Sequence, residues 1–311
     1  MIVSLHVTHF SDPGCPWAWS ASPAIAALKW RYGDQLEWRN VMIGLTENGS
    51  VYEKRGYTPA GQARGYRSFR ERGMPFATEP RERVHGTWPM CRVVVATRRL
   101  TPDREWAVFR ALQFAQFTSA LALDEPAEIE KALAWLPGID AAALVAASLE
   151  PETEELFAAD RALARSAAGG PTEFQGRSAT TPEGEVRFTA PSLLFETDDG
   201  RSLEAGGFQP LEAYDVCIAN LDTSLTRREP AEDVGEVLAA FPDGLTTAEV
   251  AAVMCEHLQP PALDDAEDAL ISLVASGGAE RLAFGNDALW VPAGGGDAAL
   301  AVAGAERTAA G

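Results

Sequence analysis

The sequence predicts an α/β fold with a large all-helical insertion, followed by a smaller α+β module. Two observations predict the first part: a β-α-β pattern over residues 2–45 and a ββα pattern over residues 190–221. A third observation, three helical segments ahead of two strands between residues 234 and 291, predicts the module. A chain of 311 residues is long enough for this organisation.

The β-α-β pattern places a cysteine at a strand-to-helix junction. Residues 2–10 are rich in β-branched and aromatic side chains and end at a Pro-Gly turn. Pro16 suits the first turn of a helix, where a missing N–H costs nothing, and this helix is predicted to end near Gly33. Residues 36–45 alternate as a second strand, so a parallel crossover is expected with Cys15 at its start.

The rest of the first part is predicted in chain order. Residues 46–86 are expected to be a long irregular stretch, and residues 87–168 to be helical with breaks at 101–102 and 136–138. The later segments are a turn-rich stretch (170–189), a strand (190–196), a hairpin turn (198–200), a returning strand (201–205) and a closing helix (208–221).

A different pattern begins near residue 229. Helices are predicted at 234–241, from a capping box at 245–249, and at 264–275, before two strands around Gly285-Asn286. Three helices and a β-wing predict a winged-helix-like module. The predicted domains are therefore a first domain (1–86 with 170–224), a helical insertion (87–169), the module (229–295) and a flexible tail (296–311).

Charge is distributed unevenly along the chain. Residues 229–311 hold fifteen acids and two arginines, a net charge of −13, whereas residues 54–104 carry a net charge of +8. In the basic segment, Arg64 and Arg67 interleave with aromatic residues and are predicted to face an anionic ligand. The alternative is a solvated surface that balances the acidic module. Acids in the helix at 264–275 would repel a duplex, so we expect no nucleic-acid partner.

The N-terminus lacks the basic region and cleavage site of a signal peptide, and the apolar runs are too short to span a membrane. We therefore expect a cytoplasmic protein without a membrane partner, whose thiols are reduced. The spacing of the four cysteines gives neither a Cys-x-x-Cys pair nor a zinc pattern, so no metal is expected; these residues are Cys15, Cys91, Cys217 and Cys255.

Two short motifs carry a family resemblance. Residues 10–17, F-S-D-P-G-C-P-W, and residues 189–192, T-A-P-S, resemble the DsbA family of thioredoxin-fold proteins. The resemblance is to its FrnE-like cytoplasmic branch, which is related to hydroxychromene-carboxylate isomerases and kappa-class glutathione transferases. It covers about residues 2–222 and implies a thioredoxin fold in which a cis Pro191 faces the Cys15 sulfur. The departure is Ala18, where redox members have a resolving cysteine.

The position of Cys15 predicts its chemistry. A thiol at a helix N-terminus lies against unpaired N–H groups and the positive end of the dipole, which favours the thiolate and lowers the pKa from about 8.5 to as low as about 3.5. We therefore expect an accessible, ionised nucleophile that forms a mixed disulfide. Because residue 18 is alanine rather than cysteine, cleavage of the mixed disulfide on Cys15 needs an external thiol such as glutathione or mycothiol, or a nearby cysteine.

The candidate site residues follow from the motifs and the resemblance. Cys91 is the candidate resolving thiol, although a small buried packing residue is the alternative. Asp12 is a candidate proton carrier, or an ordinary turn residue. The predicted catalytic set is Cys15, Pro16, Trp17, Pro191 and Asp12, and the predicted substrate-binding set is Ala190, Ser192, Trp88, Arg64 and Arg67.

Three functions remain open from the sequence. The first is a DsbA-like thiol–disulfide oxidoreductase that uses one cysteine and acts on a protein or small-molecule disulfide, with a small thiol as co-substrate. The second is a non-catalytic protein-binding adaptor built on a DsbA-like domain, with the module used for packing, homodimerisation or protein binding. The third is a glutathione- or mycothiol-dependent isomerase or transferase. The related enzymes place serine at the Cys15 position, which argues against the third.

Overall fold

The structure is a computed structural model that describes residues 5–284 and 286–294. The predicted tail at 296–311, the first residues of the predicted first strand and Gly285 in the last turn lie outside the described residues. Within the described ranges, no helix combines the length and the apolar character needed to cross a bilayer.

A four-stranded mixed sheet of order β2-β1-β5-β6 forms the centre. β1 and β2 pair in parallel, and β5 and β6 add antiparallel strands on the other side of β1. The predicted α/β class, a thioredoxin fold with a helical insertion, is confirmed. The strands and their helices are β1 (Leu5–Ser11), α1 (Pro16–Ser20), α2 (Ser22–Tyr32), β2 (Leu36–Met42), β5 (Ser192–Glu196), β6 (Ser202–Ala205) and α11 (Leu211–Leu221).

The crossover between β1 and β2 is two helices rather than the predicted one. Pro23 lies in the first turn of α2 and lacks the N–H that would continue the ladder from α1, so the helix restarts after Ala21. The predicted end is confirmed, since Gly33 caps α2 with φ of +51°. Apolar faces of α2 and α11 share one core with the sheet, including Ile25, Phe195 and Tyr214.

The insertion is helical as predicted. Breaks fall at the two predicted places, after Leu100 and near Pro137. Its core is a cluster of buried aromatic and aliphatic side chains that also receives Trp19 from α1. The helices are α5 (Trp88–Leu100), α6 (Glu105–Thr118), α7 (Pro126–Leu133), α8 (Ala141–Ala147), α9 (Pro151–Ala164) and α10 (Pro171–Phe174).

The prediction of an irregular stretch over residues 46–86 is wrong. This segment contains α3 (Gly49–Lys54) and α4 (Pro59–Phe69), followed by a 3-10 turn. Thr58 caps α4 by accepting a hydrogen bond from the Gly61 N–H at 3.1 Å. Ala63 and Tyr66 are buried three residues apart on one face, a helical period that the glycines and arginines of the segment obscured. The turn-rich stretch also contains a hairpin, β3 (Ser178–Thr180) with β4 (Val186–Phe188).

The C-terminal segment contains three helices and a three-stranded antiparallel sheet of order β7-β9-β8. The predicted capping box is confirmed, because Thr246 and Glu249 exchange side-chain and backbone hydrogen bonds at the start of α13. The winged-helix assignment stays a prediction. The elements are α12 (Val234–Ala240), β7 (Leu245–Thr246), α13 (Thr247–Met254), α14 (Leu263–Ala275), β8 (Ala279–Phe284) and β9 (Asp287–Pro292).

A buried ion pair joins the C-terminal segment to the rest of the chain. Glu249 on α13 is completely buried and accepts hydrogen bonds from Arg110 on α6, including one of 2.9 Å, and from the Ser22 hydroxyl on α2. Burial alone would raise the pKa of Glu249, but Arg110 and the hydrogen-bond donors hold it below its ordinary value of 4.5. One carboxylate therefore ties together three parts of the sequence.

Candidate functional site

Cys15 lies where the end of β1 meets the start of β5. It is the residue before Pro16, the first residue of α1, and its thiol donates a hydrogen bond to the Ala190 carbonyl at 3.2 Å. The Ala190–Pro191 peptide is cis. Phe10 pairs with Ser192 across the two strands, and this register brings the cysteine against the proline loop.

The sulfur is neither exposed nor ionised at rest. Cys15 is only 6% exposed and packs among Phe10, Val41 and other apolar side chains. Burial raises its pKa to about 12, although the backbone N–H groups at the start of α1 and the positive charge of Arg187 act in the opposite direction. The expectation of an accessible thiolate is therefore wrong for this structure, because the cost of burying the charge exceeds the effect of the helix N-terminus.

The Asp12 carboxylate is hydrogen-bonded to the turn that precedes Cys15 and to the segments packed against that turn. Its carboxylate accepts hydrogen bonds of 2.8 Å from the Gly14 N–H, the Leu45 N–H and the Thr87 hydroxyl. The Cys91 thiol lies 3.5 Å from the same carboxylate. Burial raises the pKa of Asp12, and these donors oppose the rise. Because the donors surround both oxygens, Asp12 holds the turn before Cys15 in place, and the proton-carrier interpretation is not supported.

Cys91 is a poor resolving thiol in this arrangement. It is fully buried in α5, and burial together with the adjacent Asp12 raises its pKa well above the ordinary value. All four cysteines are free. The geometry therefore supports the alternative interpretation of Cys91, a small buried residue that donates to the loop carboxylate.

The side chains around the proline loop have different environments. Ser192 donates to the Thr189 carbonyl at 2.7 Å and accepts from the Gly207 N–H at 3.0 Å, so its hydroxyl is already used within the loop. Ala190 instead lines a shallow groove of about 250 Å³ together with Trp17. The predicted substrate contact at Ser192 is therefore not available, whereas Ala190, although largely buried, contributes to the lining of the groove.

Trp17 is the exposed group of the motif, with 41% of its surface accessible. Its ring packs edge-on against Phe69 and Phe208, with centroid distances of 5.0 and 5.6 Å. The Arg72 guanidinium lies 4.3 Å from the Trp17 ring centroid. These three neighbours, which the sequence analysis did not identify, complete an aromatic surface beside the start of α1.

A cavity of about 520 Å³ adjoins the start of α1 and includes Pro16 and Trp17 in its lining. Its walls also contain His85 and Gln116, whose Nε2 and Oε1 atoms are buried without a hydrogen-bond partner. His85 Nδ1 lies 3.0 Å from the Gly86 carbonyl, and burial lowers the pKa of this histidine to about 4. The cavity is therefore an aromatic pocket that contains neutral polar groups and one guanidinium, that of Arg55.

A second, smaller cavity of about 200 Å³ shares Leu45 and Arg55 with the first. Its lining includes three further arginines, Arg161, Arg165 and Arg187, and two exposed glutamates. Burial lowers the pKa of each of these three guanidinium groups, and the neighbouring positive charge of Arg165 contributes at Arg161. We refer to it as the arginine cavity.

Of the predicted substrate-binding residues, Trp88 lines the arginine cavity, whereas Arg64 and Arg67 do not. Trp88 lines it, and the Arg161 guanidinium stacks 3.9 Å from the Trp88 ring centroid. Arg64 and Arg67 are exposed on α4 and line neither cavity, which agrees with the alternative interpretation of these arginines as a solvated surface. Arg187 was missed because it lies in the stretch interpreted as turns, where a strand period over three residues gives no clear signal.

Metal chemistry has no evident location in this part of the chain. Across residues 5–284 and 286–294, no group of three or more His, Cys, Asp or Glu side chains is placed to hold an ion.

Comparison with known proteins relates this arrangement to a fold. No family model matches the sequence, and no curated protein matches it significantly. Among solved structures, a "putative protein disulfide isomerase" from Nitrosomonas europaea aligns over 70% of this chain and 97% of its own, with 19% identity and a TM-score of 0.53. A probable DsbA oxidoreductase from Streptomyces coelicolor aligns over 73% and 93%, with 16% identity and a TM-score of 0.52. The chain has the DsbA-like oxidoreductase fold.

Within the DsbA-like fold, Cys15 and the cis peptide at Pro191 occupy adjoining positions at the end of the central sheet. The cytosolic disulfide reductase DsbM from Pseudomonas aeruginosa superposes less closely, with a TM-score of 0.47 and 22% identity over 71% of this chain and 98% of that chain. These identities establish the fold alone.

Proposed function

We propose that the chain is a thiol–disulfide oxidoreductase in which Cys15 is the single reactive sulfur and a small anionic thiol is the co-substrate. The observation that carries the proposal is the position of Cys15. Its sulfur lies at the start of α1 against the Ala190 carbonyl, where the N–H groups of Trp17 and Ala18 and the charge of Arg187 favour the thiolate. The 520 Å³ cavity has Gly14 and Pro16, the two neighbours of Cys15, in its lining, and the arginine cavity is lined by Arg187, whose charge acts on the Cys15 sulfur.

The reaction at Cys15 is a pair of thiol–disulfide exchanges. The Cys15 thiol loses its proton to solvent, and its thiolate attacks one sulfur of the substrate disulfide. That sulfur stays bound to Cys15 as a mixed disulfide, while the other sulfur leaves as a thiolate and takes up a proton. The thiolate of one co-substrate molecule then attacks the substrate sulfur of the mixed disulfide and releases the Cys15 thiolate. A second co-substrate thiol reduces the resulting disulfide between substrate and co-substrate. In each complete cycle the substrate disulfide gains two electrons, and two co-substrate thiols lose two electrons as they form their own disulfide. Because residue 18 is alanine and carries no thiol, the second step uses the external thiol.

Burial sets the rate of the first step. With a pKa near 12, the thiolate fraction at neutral pH is about 3,000-fold smaller than that of a thiol with a pKa of about 8.5, while the greater nucleophilicity of a more basic thiolate recovers about 30- to 50-fold. The resting site is therefore about 100-fold slower than a free cysteine. We propose that bound substrate displaces the apolar contacts of the sulfur before it reacts.

The arginine cavity supports an anionic co-substrate. We expect Arg161→Gln to raise the KM for glutathione about tenfold, since one charge-assisted hydrogen bond contributes about 1.5 kcal/mol or more. The KM for uncharged 2-mercaptoethanol should not change. Steady-state reduction of hydroxyethyl disulfide with each thiol measures both values.

Arg64→Gln is the matched control, because Arg64 is exposed and outside both cavities. Equal KM changes for the two thiols in the Arg161 variant, or an equal change in the control, would contradict an anion contact. Such a result would leave the role of Cys15 untouched.

Restoring a second cysteine should change the mechanism. Ala18 follows Cys15 by three residues in the first turn of α1, so we expect Ala18→Cys to form an intramolecular disulfide after treatment with oxidised glutathione. Thiol titration should then find two fewer free thiols than in the reduced variant. In the control Ala21→Cys, at the end of the helix, glutathione should remain attached as a mixed disulfide. Persistent glutathionylation of the Ala18 variant would contradict this geometry.

A thiol-dependent isomerase or transferase is the second candidate. It is favoured by the protonated state of Cys15, whose S–H is a hydrogen-bond donor, as a serine hydroxyl would be at this position. Under that hypothesis the co-substrate supplies the reactive sulfur, and Cys15→Ser retains activity. Under the adaptor hypothesis no thiol-dependent turnover occurs. The serine variant thus separates the three functions.

The proposal also includes a cellular location and a role for the C-terminal segment. The four free cysteines suit a reducing compartment, and we propose a cytoplasmic location. The order helix, strand, two helices and two strands in the C-terminal segment supports a winged-helix-like module. Its acidic α14 and its packing on α2 favour a role in protein contacts rather than in DNA binding.

A further inference from the structure

A lysine without a carboxylate partner lies in a cavity far along α2 from Cys15. Lys29 Nζ is 4.4 Å from the Trp38 ring centroid and 4.3 Å from that of Trp106. The cavity holds about 470 Å³, and its lining includes Phe241 and Pro242 of the C-terminal segment. This volume lies within the range of sites that bind small molecules.

The other charged groups of the lining, apart from Asp34, are already paired. Arg110 is held by Glu249, Asp243 by Arg104, and Arg228 by Glu236 while it stacks on Trp30; Asp34 is exposed at one edge. Among the described residues, the Lys29 side chain takes part in no hydrogen bond or ion pair, while its backbone carbonyl accepts from the Gly33 N–H. An amine with three donors in an aromatic enclosure therefore lacks an anion.

We propose that this cavity binds a small monocarboxylate with an apolar body, whose carboxylate pairs with Lys29 and whose body lies between the indole rings and Phe241. A single negative charge suits the site because Lys29 is the one cation of the lining, among the described residues, that is not held by an ion pair. The indole, phenyl and proline surfaces would cover an aryl or alkyl group.

The protonation state of the Lys29 amine provides a test of the proposal. Burial and the charge of Arg110 lower its pKa to about 7, so at pH 8 the amine is about nine-tenths neutral. Pairing with a carboxylate requires the ammonium, so binding at pH 8 should take up close to one proton. Between pH 6 and pH 8 the affinity should fall about tenfold. His9, the nearest buried histidine, has a pKa lowered to about 4 and stays neutral over this range.

The probe is 3-phenylpropionate, and the neutral comparison is 3-phenylpropionamide. Calorimetric titration at pH 8 in two buffers of different ionisation enthalpy measures both the affinity and the proton uptake. We expect binding of the carboxylate with proton uptake, binding of the amide at least tenfold weaker, and loss of the uptake in Lys29→Met. Lys54→Met, on exposed α3, is the matched control and should behave as the unchanged protein.

Three results would overturn the proposal: no binding of the carboxylate at millimolar concentration, equal affinity for the amide, or proton uptake that persists in Lys29→Met. If the Lys29 variant does not fold, the uptake and pH dependence in the unchanged protein decide the question. The test does not depend on Cys15, so its failure is separate from failure of the oxidoreductase proposal.

Discussion

Replacing Cys15 with serine should lower the rate of thiol-dependent disulfide reduction by at least 100-fold. The variant keeps a small polar side chain at the start of α1 but removes the sulfur that forms the mixed disulfide. The measurement is hydroxyethyl disulfide reduction with glutathione, in a background in which the partly exposed Cys217 and Cys255 are replaced by serine. Mass spectrometry of the unchanged protein should find glutathione on the Cys15 peptide.

The pH dependence gives an independent check of the same site. Because burial places the pKa of Cys15 near 12, the thiolate fraction, and with it the rate of reaction with a small disulfide, should rise about tenfold per pH unit from 7 to 10. Cys91→Ser should leave the profile intact, since that thiol is buried against Asp12. A profile that levels off near pH 7 would contradict the burial of the sulfur in the reacting state, and full activity of the Cys15 variant would contradict the mechanism.

The largest effect on stability is expected from Glu249→Ala. Removing this carboxylate leaves the 6%-exposed Arg110 without its partner and also removes the capping box of α13. Loss of one partner of a buried pair costs about 3–5 kcal/mol, so the free energy of unfolding should fall by about that amount. Urea unfolding followed by tryptophan fluorescence measures the change.

Glu236→Ala is the matched control, because Glu236 pairs with Arg228 on the surface, with both side chains about half exposed. Its loss should cost about 0–1 kcal/mol. The pKa of Glu249 is lowered in the folded protein, so its contribution is present above pH 4.5 and is lost as the pH falls through the lower folded value. Equal stability of the two variants would show that the buried pair does not join the segments as described.

The sequence was sufficient for the parts of the fold that depend on local signals. Alternating strands, proline at helix starts and the capping box of α13 each concern neighbours in the chain, and these elements were confirmed. The register of Phe10 with Ser192, which brings Cys15 to Ala190, was expected only through the family resemblance. Local patterns predict elements, whereas the pairing of distant strands depends on the packed sheet.

The candidate site was predicted less well because its chemistry depends on burial. The helix N-terminus favours a thiolate at Cys15, but the apolar neighbours that outweigh it come from β2 and β4. Similarly, Arg161 and Arg187 are more than twenty residues apart in the sequence but line the same cavity. Arg64 and Arg67 are close together in the sequence but are exposed to solvent. Sequence proximity indicated a cluster of charge, but tertiary packing determined which arginines share a cavity.

Contacts from the C-terminal segment support the loop that carries the aromatic surface beside Trp17. Asn286 accepts a hydrogen bond from the Phe76 N–H at 2.9 Å, and Thr246 donates to the Met74 sulfur at 3.4 Å. These contacts brace the turn that follows Arg72, whose guanidinium covers the Trp17 ring. The position of Arg72 over the Trp17 ring therefore depends on contacts made by residues at least 172 positions further along the chain, so unfolding of the C-terminal segment should also release the Arg72 side chain from Trp17.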